Sequence, residues 1–365
     1  MTDLKKTPLH AQHLAAGARM VPFAGFEMPV QYGGVVQEHE AVRSAVGLFD
    51  VSHMGEVELR GPRAVEVADR IVTNHVGKLD EGQACYTCMC RPDGGIVDDL
   101  VVYKISGEHV LICVNAANRE KDFAYMSEVT AGDCEIEDTG DSWVQIAVQG
   151  PKAAVLVGKL ASGTEDIKTY RFALGTAAGV DNCVIARTGY TGEDGFELYV
   201  PAARGPEVWE ALMSEGADLG VAPAGLGARD SLRLEMCFPL YGNDIDETTH
   251  PYEAGLGWVV KLKKPGPFAG REALEKAKAE GPQRKLVPLR VTGRGIARQG
   301  YPVLDSAGAP VGQVTSGTRG PSVGEAIALA YVPKALSAEG TALAVEVRGK
   351  PVEAVVSSRP FLKRT

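Results

Sequence analysis

Apolar residues in this chain recur with two different periods, and the switches between them predict an α+β protein. Over residues 35–46 the apolar positions follow helical spacing, and Gly47 is placed to stop the helix. Ahead of it, Thr7-Pro8 reads as a helix start, with Thr7 as N-cap and proline at the first helical position, and Gly17 as the end. Residues 20–30 are apolar but broken by prolines, which suits a surface groove or a sheet edge. Leu48-Phe-Asp-Val-Ser-His-Met-Gly55 reads as a strand running into a turn. A charged helix is predicted over 271–280. From Lys285 onward come six short β runs, at 286–291, 302–304, 311–315, 327–332, 343–347 and 352–356, divided by glycine and proline turns. They predict a C-terminal β-barrel or sandwich of about 80 residues.

The middle of the chain repeats itself. A strand, the turn Gly61-Pro62 and a helix recur as a strand, Gly150-Pro151 and a helix, 89 residues later. A hairpin over 100–114 followed by a helix over 119–129 recurs as a hairpin over 182–200 followed by a helix over 205–213. The second strands of these hairpins end 86 residues apart, at Val114 and Val200. Two related units follow, each a small antiparallel sheet with helices on one face.

Within the second hairpin lies Arg187-Thr-Gly-Tyr-Thr-Gly-Glu-Asp-Gly-Phe-Glu-Leu198. Its glycines suit a loop that needs positive φ. The link is longer than a plain hairpin requires and mixes Tyr190 with three carboxylates, which points to binding rather than mere turning. The corresponding place in the first unit is Gly94-Gly-Ile-Val-Asp-Asp-Leu-Val-Val102. Strand alternation sends one of Asp98 and Asp99 to the packed side, where a carboxylate must be hydrogen-bonded or perform chemistry. One of the two is therefore the best acid/base candidate, with a structural turn cap as the alternative reading. Asn115 or Asn118 could cap the helix that follows and only secondarily touch a ligand.

Other clusters carry less. His53 stands near Ser52 and Asp50, but residues so close along a strand point to opposite faces, so a nucleophile triad is a poor reading and a structural or ligand-lining His53 a better one. Arg229 and Arg233, four apart on a helical stretch, suit either an anionic ligand or pairing with Asp230 and Glu235. Tyr241-Gly-Asn-Asp-Ile-Asp-Glu247 reads as a polar turn, and 251–258, ending in Trp258, as a possible pocket wall.

Composition sets outer bounds. A chain of 365 residues is long for one core and suggests two or three domains. With 45% hydrophobic and 23% charged residues it is ordinary for a soluble globular protein. A net charge of −9 argues against a nucleic-acid partner, and no apolar run is long enough for a membrane. The start Met1-Thr-Asp-Leu-Lys-Lys6 lacks the apolar stretch of a secretory signal. Seven cysteines include Cys85, Cys88 and Cys90, yet no second Cys or His pair follows at zinc spacing. No metal is expected, and reduced thiols are.

Five motifs in order carry a family resemblance: Phe49-Asp-Val-Ser-His-Met54, Gly189-Tyr-Thr-Gly-Glu-Asp-Gly-Phe-Glu197, Gly227-Ala-Arg-Asp-Ser-Leu-Arg-Leu-Glu235, Tyr241-Gly-Asn-Asp244 and Gly312-Gln-Val-Thr-Ser-Gly317. The chain resembles the aminomethyltransferases (T proteins) of the glycine cleavage system from Thr7-Pro8-Leu9 to Pro360-Phe361. The resemblance implies an α+β, three-domain cloverleaf: two related antiparallel-sheet/helix units plus a C-terminal β-barrel, with a folate site at the centre. Its segments interleave. Residues 1–54 with 139–245 form the central domain carrying the 189–197 loop, residues 55–138 with 246–280 the domain carrying Asp99, and residues 281–365 the barrel.

The same resemblance implies an activity. The methylene carbon of aminomethyl-lipoyl H protein passes to tetrahydrofolate, ammonia leaves, and 5,10-methylenetetrahydrofolate and dihydrolipoyl H protein result. Tetrahydrofolate is a co-substrate and lipoylated H protein the partner. Asp99 is the implied catalytic residue, assisting proton movement near the reacting nitrogens. Glu197 is implied to read the pterin's N–H groups, as a bidentate carboxylate acceptor can. Tyr190 and Tyr86 line or stack on the folate, Arg229 contacts substrate with Arg233 in support, and Asn115, Met54, Val114 and Trp258 complete the binding residues. The implied location is the bacterial cytoplasm, or the mitochondrial matrix had a leader been removed. Some relatives end in a tyrosine-bearing tail; this chain ends Arg359-Pro-Phe-Leu-Lys-Arg-Thr365, so the resemblance leaves a C-terminal folate contact open.

Two rivals share the scaffold. Enzymes that demethylate sulfonium or methylamine compounds onto tetrahydrofolate would differ around His53, Tyr86 and Trp258. A folate-binding assembly factor for iron–sulfur proteins would carry Lys-Gly-Cys-x-x-Gly-Gln, which this sequence lacks.

Overall fold

The computed structural model describes residues 4–363. The first three residues of the N-terminal segment and the last two of the C-terminal tail lie outside the described residues. The chain divides into two compact units. One holds the chain up to Ile71, then His75–Thr87 and Leu100–Arg229; the other holds Val72–Asn74, Cys88–Asp99 and the chain from Asp230 on.

The first unit is built on a six-stranded sheet in the order Phe172–Ala177, Val180–Ala186, Gly195–Pro201, Trp143–Gln149, Val46–Asp50 and Val221–Pro223. Only the last of these pairings is parallel among those described. Alternation along its strands is strict. Val144, Ile146 and Val148, and opposite them Phe196, Leu198 and Val200, enter one core that includes residues of the helices Ala153–Leu160 and Gly205–Glu215. Burying a side chain of this size stabilises by about 1.5–3 kcal/mol. The residues between them, such as Gln145, Glu197 and Tyr199, face the other side and are buried too.

A second sheet has the order Gln83–Cys90, Ile96–Ser106, His109–Val114, Gly55–Arg60 and Glu135–Asp138. Its first four strands repeat the first four of the six-stranded sheet. Gly55–Arg60, which runs into Gly61, pairs with the second hairpin strand His109–Val114, just as Trp143–Gln149, which runs into Gly150, pairs with Gly195–Pro201. Gly61 and Gly150 both take positive φ, +115° and +135°. At Gly150 a Cβ would also lie 2.4 Å from the Ala45 carbonyl oxygen, so only glycine fits. The internal repeat read from the sequence is a structural repeat. Within the first unit the two sheets meet through Tyr103, Leu111 and Cys113 on one side and Phe172, Val184 and Tyr199 on the other.

The second unit holds a closed six-stranded barrel, in the order Arg284–Val291, Ala326–Pro333, Pro310–Arg319, Pro302–Leu304, Ala342–Val347 and Lys350–Val356. Small residues such as Ala328, Ala330 and Ala354 share its interior with Val287, Leu289 and Val345. The six predicted runs are its six strands, and the charged helix is Arg271–Glu280. Among the described residues no helix is long and apolar enough to cross a membrane.

Several local expectations differ. The first helix is His10–Ala15 with Leu9 as its cap residue. Thr7 spends its hydroxyl on Asp50 Oδ2, 2.6 Å away, instead of capping. Residues 20–30 form a hairpin of Arg19–Phe23 and Phe26–Gln31. The helix Val35–Ser44 stops before Gly47, which lies inside the strand Val46–Asp50. A Cβ there would fall 2.3 Å from Val42 Cγ2, so this glycine serves close packing of helix on strand. Neither Asn115 nor Asn118 makes a side-chain cap.

Candidate functional site

The 188–195 loop is fastened from below and from both ends. Gln149 on the strand Trp143–Gln149 donates through Nε2 to the Thr188 carbonyl at 3.0 Å and accepts the Thr191 hydroxyl on Oε1 at 2.9 Å. A Cβ on Gly189 would sit 2.1 Å from Gln149 Oε1, and one on Gly195 would sit 2.5 Å from its Nε2. These two glycines make room for the amide, whereas Gly192 supplies positive φ, +77°. Arg187 grips Asp194 with two hydrogen bonds, Nε to Oδ1 at 2.9 Å and Nη2 to Oδ2 at 2.6 Å. Arg43 donates to the Thr191 carbonyl at 2.7 Å and to Glu193 Oε1 at 3.0 Å.

Two of the three loop carboxylates are thus consumed by arginines. Glu197 is not. It is 9% exposed and takes its hydrogen bonds from neutral donors, Gln145 Nε2 on Oε1 at 3.1 Å and the Thr188 hydroxyl on Oε2 at 2.6 Å. An ionised carboxylate has about four acceptor positions, so two partners leave capacity for a ligand. Burial pushes the Tyr103 and Tyr199 phenols and the Cys113 thiol far up, and the charge of Glu197 adds to the rise in each. Tyr170 is driven to about 12 by burial and then by Glu197. Glu56 is raised well above an ordinary carboxyl, first by burial and against the pull of Arg119. These groups surround Glu197 in their neutral forms.

The other predicted site residues of this unit fall into three places. The Arg229 guanidinium lies over the Tyr190 ring, 4.7 Å from its centroid, a cation–π contact that orients both. Val114 pairs in register with Gly55, so Met54 and Asn115 sit at the adjoining strand ends. Met54 packs on the cluster that contains Tyr103, Cys113 and Tyr199. Tyr86 is half-buried on Gln83–Cys90.

His53 takes no part in a triad. Asp50 instead accepts from Ser52 Oγ at 2.6 Å and lies 2.8 Å from His13 Nε2. Burial pushes the Asp50 carboxyl up, but the hydrogen bonds from His13, Ser52 and Thr7 hold it below the usual range. His53 is 2% exposed, its Nδ1 has no hydrogen-bond partner among the described residues, and the rings of Phe23 and Phe26 meet it edge-on. Burial, with Arg229 adding, lowers it to about 4 against the opposite pull of Asp50.

In the second unit the Gly-Gly turn leads into the two adjacent acids. Gly94 has positive φ, +89°, and a Cβ on Gly95 would lie 2.1 Å from the Glu247 carbonyl oxygen. Ile96 N–H donates to the Thr249 carbonyl at 2.9 Å. Asp98 is fully buried and Asp99 half-buried, the alternation expected of a strand. Trp258 is 58% exposed. Arg233 proves structural: 1% exposed, it donates to Asp244 Oδ2 at 2.6 Å, to Asp230 Oδ1 at 2.8 Å and to Ser316 Oγ at 2.8 Å. Of its expected partners Asp230 is found, whereas Glu235 accepts the Ser322 N–H at 2.7 Å. The 241–247 segment likewise buries Asp244 rather than forming a purely polar turn.

Sequence reading missed Gln145, Thr188, Tyr103, Tyr199 and Cys113. One signal was available. Along Trp143–Gln149 and Gly195–Pro201, Gln145 and Gln149 fall four apart and Glu197 and Tyr199 two apart among apolar neighbours, an even spacing that marks a second, polar face.

Comparison with known proteins adds a separate line. Residues 9–264 match the family model described as the GCVT N-terminal domain, and residues 284–363 match that of the glycine cleavage T-protein C-terminal barrel domain. The chain is 48% identical to an aminomethyltransferase of Halothermothrix orenii, over 98% of this chain and 100% of the relative. It is 47% identical to an aminomethyltransferase of Desulforamulus reducens, with 100% of each chain covered. The crystal structure of glycine cleavage system aminomethyltransferase T from Bartonella henselae superposes with a TM-score of 0.92 at 36% identity, covering 99% of this chain and 98% of that one.

Proposed function

Because the chain belongs to the glycine cleavage T-protein family of aminomethyltransferases, we propose that it transfers the methylene carbon of aminomethyl-lipoyl H protein to tetrahydrofolate. Ammonia, 5,10-methylenetetrahydrofolate and dihydrolipoyl H protein are the products. The observation that carries this reading is Glu197, a nearly buried carboxylate held by neutral donors and left without an arginine or lysine bonded to it among the described residues. Such an acceptor suits a flat ligand with a donor edge, and a pterin is one.

Tetrahydrofolate supplies the nitrogens that receive the carbon. The chain's residues bind and orient. Glu197 accepts from the pterin edge, Tyr190 and Tyr86 offer ring faces, and Arg229 holds Tyr190 in place while contacting substrate. Met54, Val114 and Asn115 line the remainder, and the family resemblance adds Trp258 as a binding residue. Asp99 accepts and returns a proton at its carboxylate as ammonia departs. Positioning in a water-poor site carries most of the rate. The same reading assigns the three-part division at 1–54 with 139–245, 55–138 with 246–280, and 281–365, and a cytoplasmic location.

The test is ammonia release from aminomethylated H protein, with and without tetrahydrofolate. Tetrahydrofolate is expected to accelerate release and to yield its methylene form in equal amount. Release with no folate product overturns the proposal.

A further inference from the structure

Five side chains of the first unit close into a hydrogen-bonded ring around the inner end of Glu197. Gln145 Nε2 donates both to Glu197 Oε1 and, at 3.1 Å, to the Tyr199 hydroxyl. Tyr199 donates to the Tyr103 hydroxyl at 3.0 Å. Tyr103 lies 3.5 Å from Thr188 Oγ1, the outer edge of hydrogen-bonding distance, and Thr188 donates to Glu197 Oε2 at 2.6 Å. Gln145 is fully committed, because its Oε1 accepts the Cys113 thiol at 3.7 Å. Turned over, the amide would set an oxygen against the carboxylate, so its orientation is chemically determined.

The direction of donation matters. Starting from Gln145, each hydroxyl accepts one proton and passes its own onward, and the chain ends on Glu197. Successive donors polarise one another, so the terminal bond to a charged acceptor is strengthened. Tyr103 belongs to the five-stranded sheet, and Gln145 and Tyr199 to the six-stranded one. Both carboxylate oxygens are thereby fixed at the inner end, and among the described residues Gln145 and Thr188 are the side chains that donate to them.

Resting on the reading of Glu197 as the pterin acceptor, we propose that Gln145, Tyr199, Tyr103 and Thr188 are positioning residues for tetrahydrofolate. They fix the carboxylate plane against the pterin edge, each oxygen held from behind by a neutral donor. The titratable groups facing Glu197 are Tyr103 and Tyr199, Tyr170, Cys113 and Glu56. None of these is a cation, so the ring's donors do the work that an arginine does for Asp194.

The experiment measures tetrahydrofolate dissociation constants against pH for the full chain and for Thr188→Val, Thr188→Ser, Tyr103→Phe and Glu197→Gln. A carboxylate stripped of a donor takes a proton more readily. Thr188→Val is expected to weaken binding roughly tenfold at neutral pH and to move the acid limb of the profile up by about one pH unit. Thr188→Ser restores both. Tyr103→Phe gives a smaller shift in the same direction, and decides the matter if Thr188→Val does not fold. In a Glu56→Gln background the Thr188→Val shift persists, which separates Glu197 from the other buried acid. An unmoved acid limb in Thr188→Val, or in Tyr103→Phe where that variant decides, overturns the inference. Binding by Glu197→Gln at the natural strength overturns instead the reading of Glu197 on which it rests.

Discussion

Arg187 and Asp194 face each other across the mouth of the 188–193 loop and close it with two parallel hydrogen bonds. Both side chains are partly exposed, so the pair stabilises the fold little, about 1 kcal/mol or less. Its effect is on loop shape. Asp194→Ala is expected to leave the melting temperature within a few degrees while weakening tetrahydrofolate binding several-fold. Calorimetric titration beside thermal denaturation checks this, and unchanged affinity counts against a loop that must be held closed.

Gly189 is set by the amide beneath it. Gly189→Ala drives a methyl into Gln149 Oε1 and is expected to cost about 1–3 kcal/mol. In a Gln149→Ala background, where the obstruction is gone, the same substitution costs much less. Chemical denaturation of the four proteins in this cycle measures the coupling, and strictly additive losses refute the clash.

How much of this was legible depends on the range of the interaction. The six barrel strands and the helix Arg271–Glu280 follow from local periodicity, and local periodicity is what a sequence displays. The repeat was visible through Gly61-Pro62 and Gly150-Pro151 because both glycines answer the same backbone demand. Thr7 and Gly47 were misread for the opposite reason. Each has an ordinary local role available, as helix cap or helix stop, but its place is decided by packing that periodicity does not display: Thr7 by Asp50, 43 residues on, and Gly47 by the Val42 side chain where the helix turns back onto the strand. Arg233 shows the same effect, since spacing alone could not separate a ligand-binding guanidinium from one locked to Asp244. In the loop, the motif announced three acids, but only the positions of Arg43 and Arg187 reveal that Glu193 and Asp194 are occupied.

His53 gives a pH prediction. Its folded value, about 4, lies below its ordinary value of 6.5, so the unfolded chain binds the extra proton first. Its neutral burial therefore stabilises fully above about pH 6.5, and that contribution is lost as pH falls toward 4. The total is roughly 3 kcal/mol. Replacing His53 by Phe should flatten stability over this window, and nuclear magnetic resonance of the wild-type imidazole should show no titration near 6.5. A His53 signal titrating at 6.5 contradicts the prediction.

Arg233 and Asp244 form a buried pair whose halves cannot be separated cheaply. Asp244→Ala is expected to cost about 3–5 kcal/mol by stranding the guanidinium. Arg229→Lys, by contrast, should barely change stability and should weaken substrate handling, because an ammonium does not stack on Tyr190 as a guanidinium does. Parallel denaturation and steady-state kinetics separate the two arginines. Equal destabilisation by both substitutions contradicts the division.

Asp99→Asn is expected to keep the fold and tetrahydrofolate affinity while nearly abolishing carbon transfer, since the amide cannot take up the proton. Circular dichroism and single-turnover assays with aminomethylated H protein check both halves. Wild-type turnover removes Asp99 from the chemistry.

The most direct measurement is a crystal structure of the full chain soaked with tetrahydrofolate. The amino and ring N–H groups of the pterin are expected within hydrogen-bonding distance of Glu197 Oε1 and Oε2, with Gln145 and Thr188 still donating from behind. Folate density lying away from Glu197, or a carboxylate that has swung off its two donors to meet something else, would contradict the assignment.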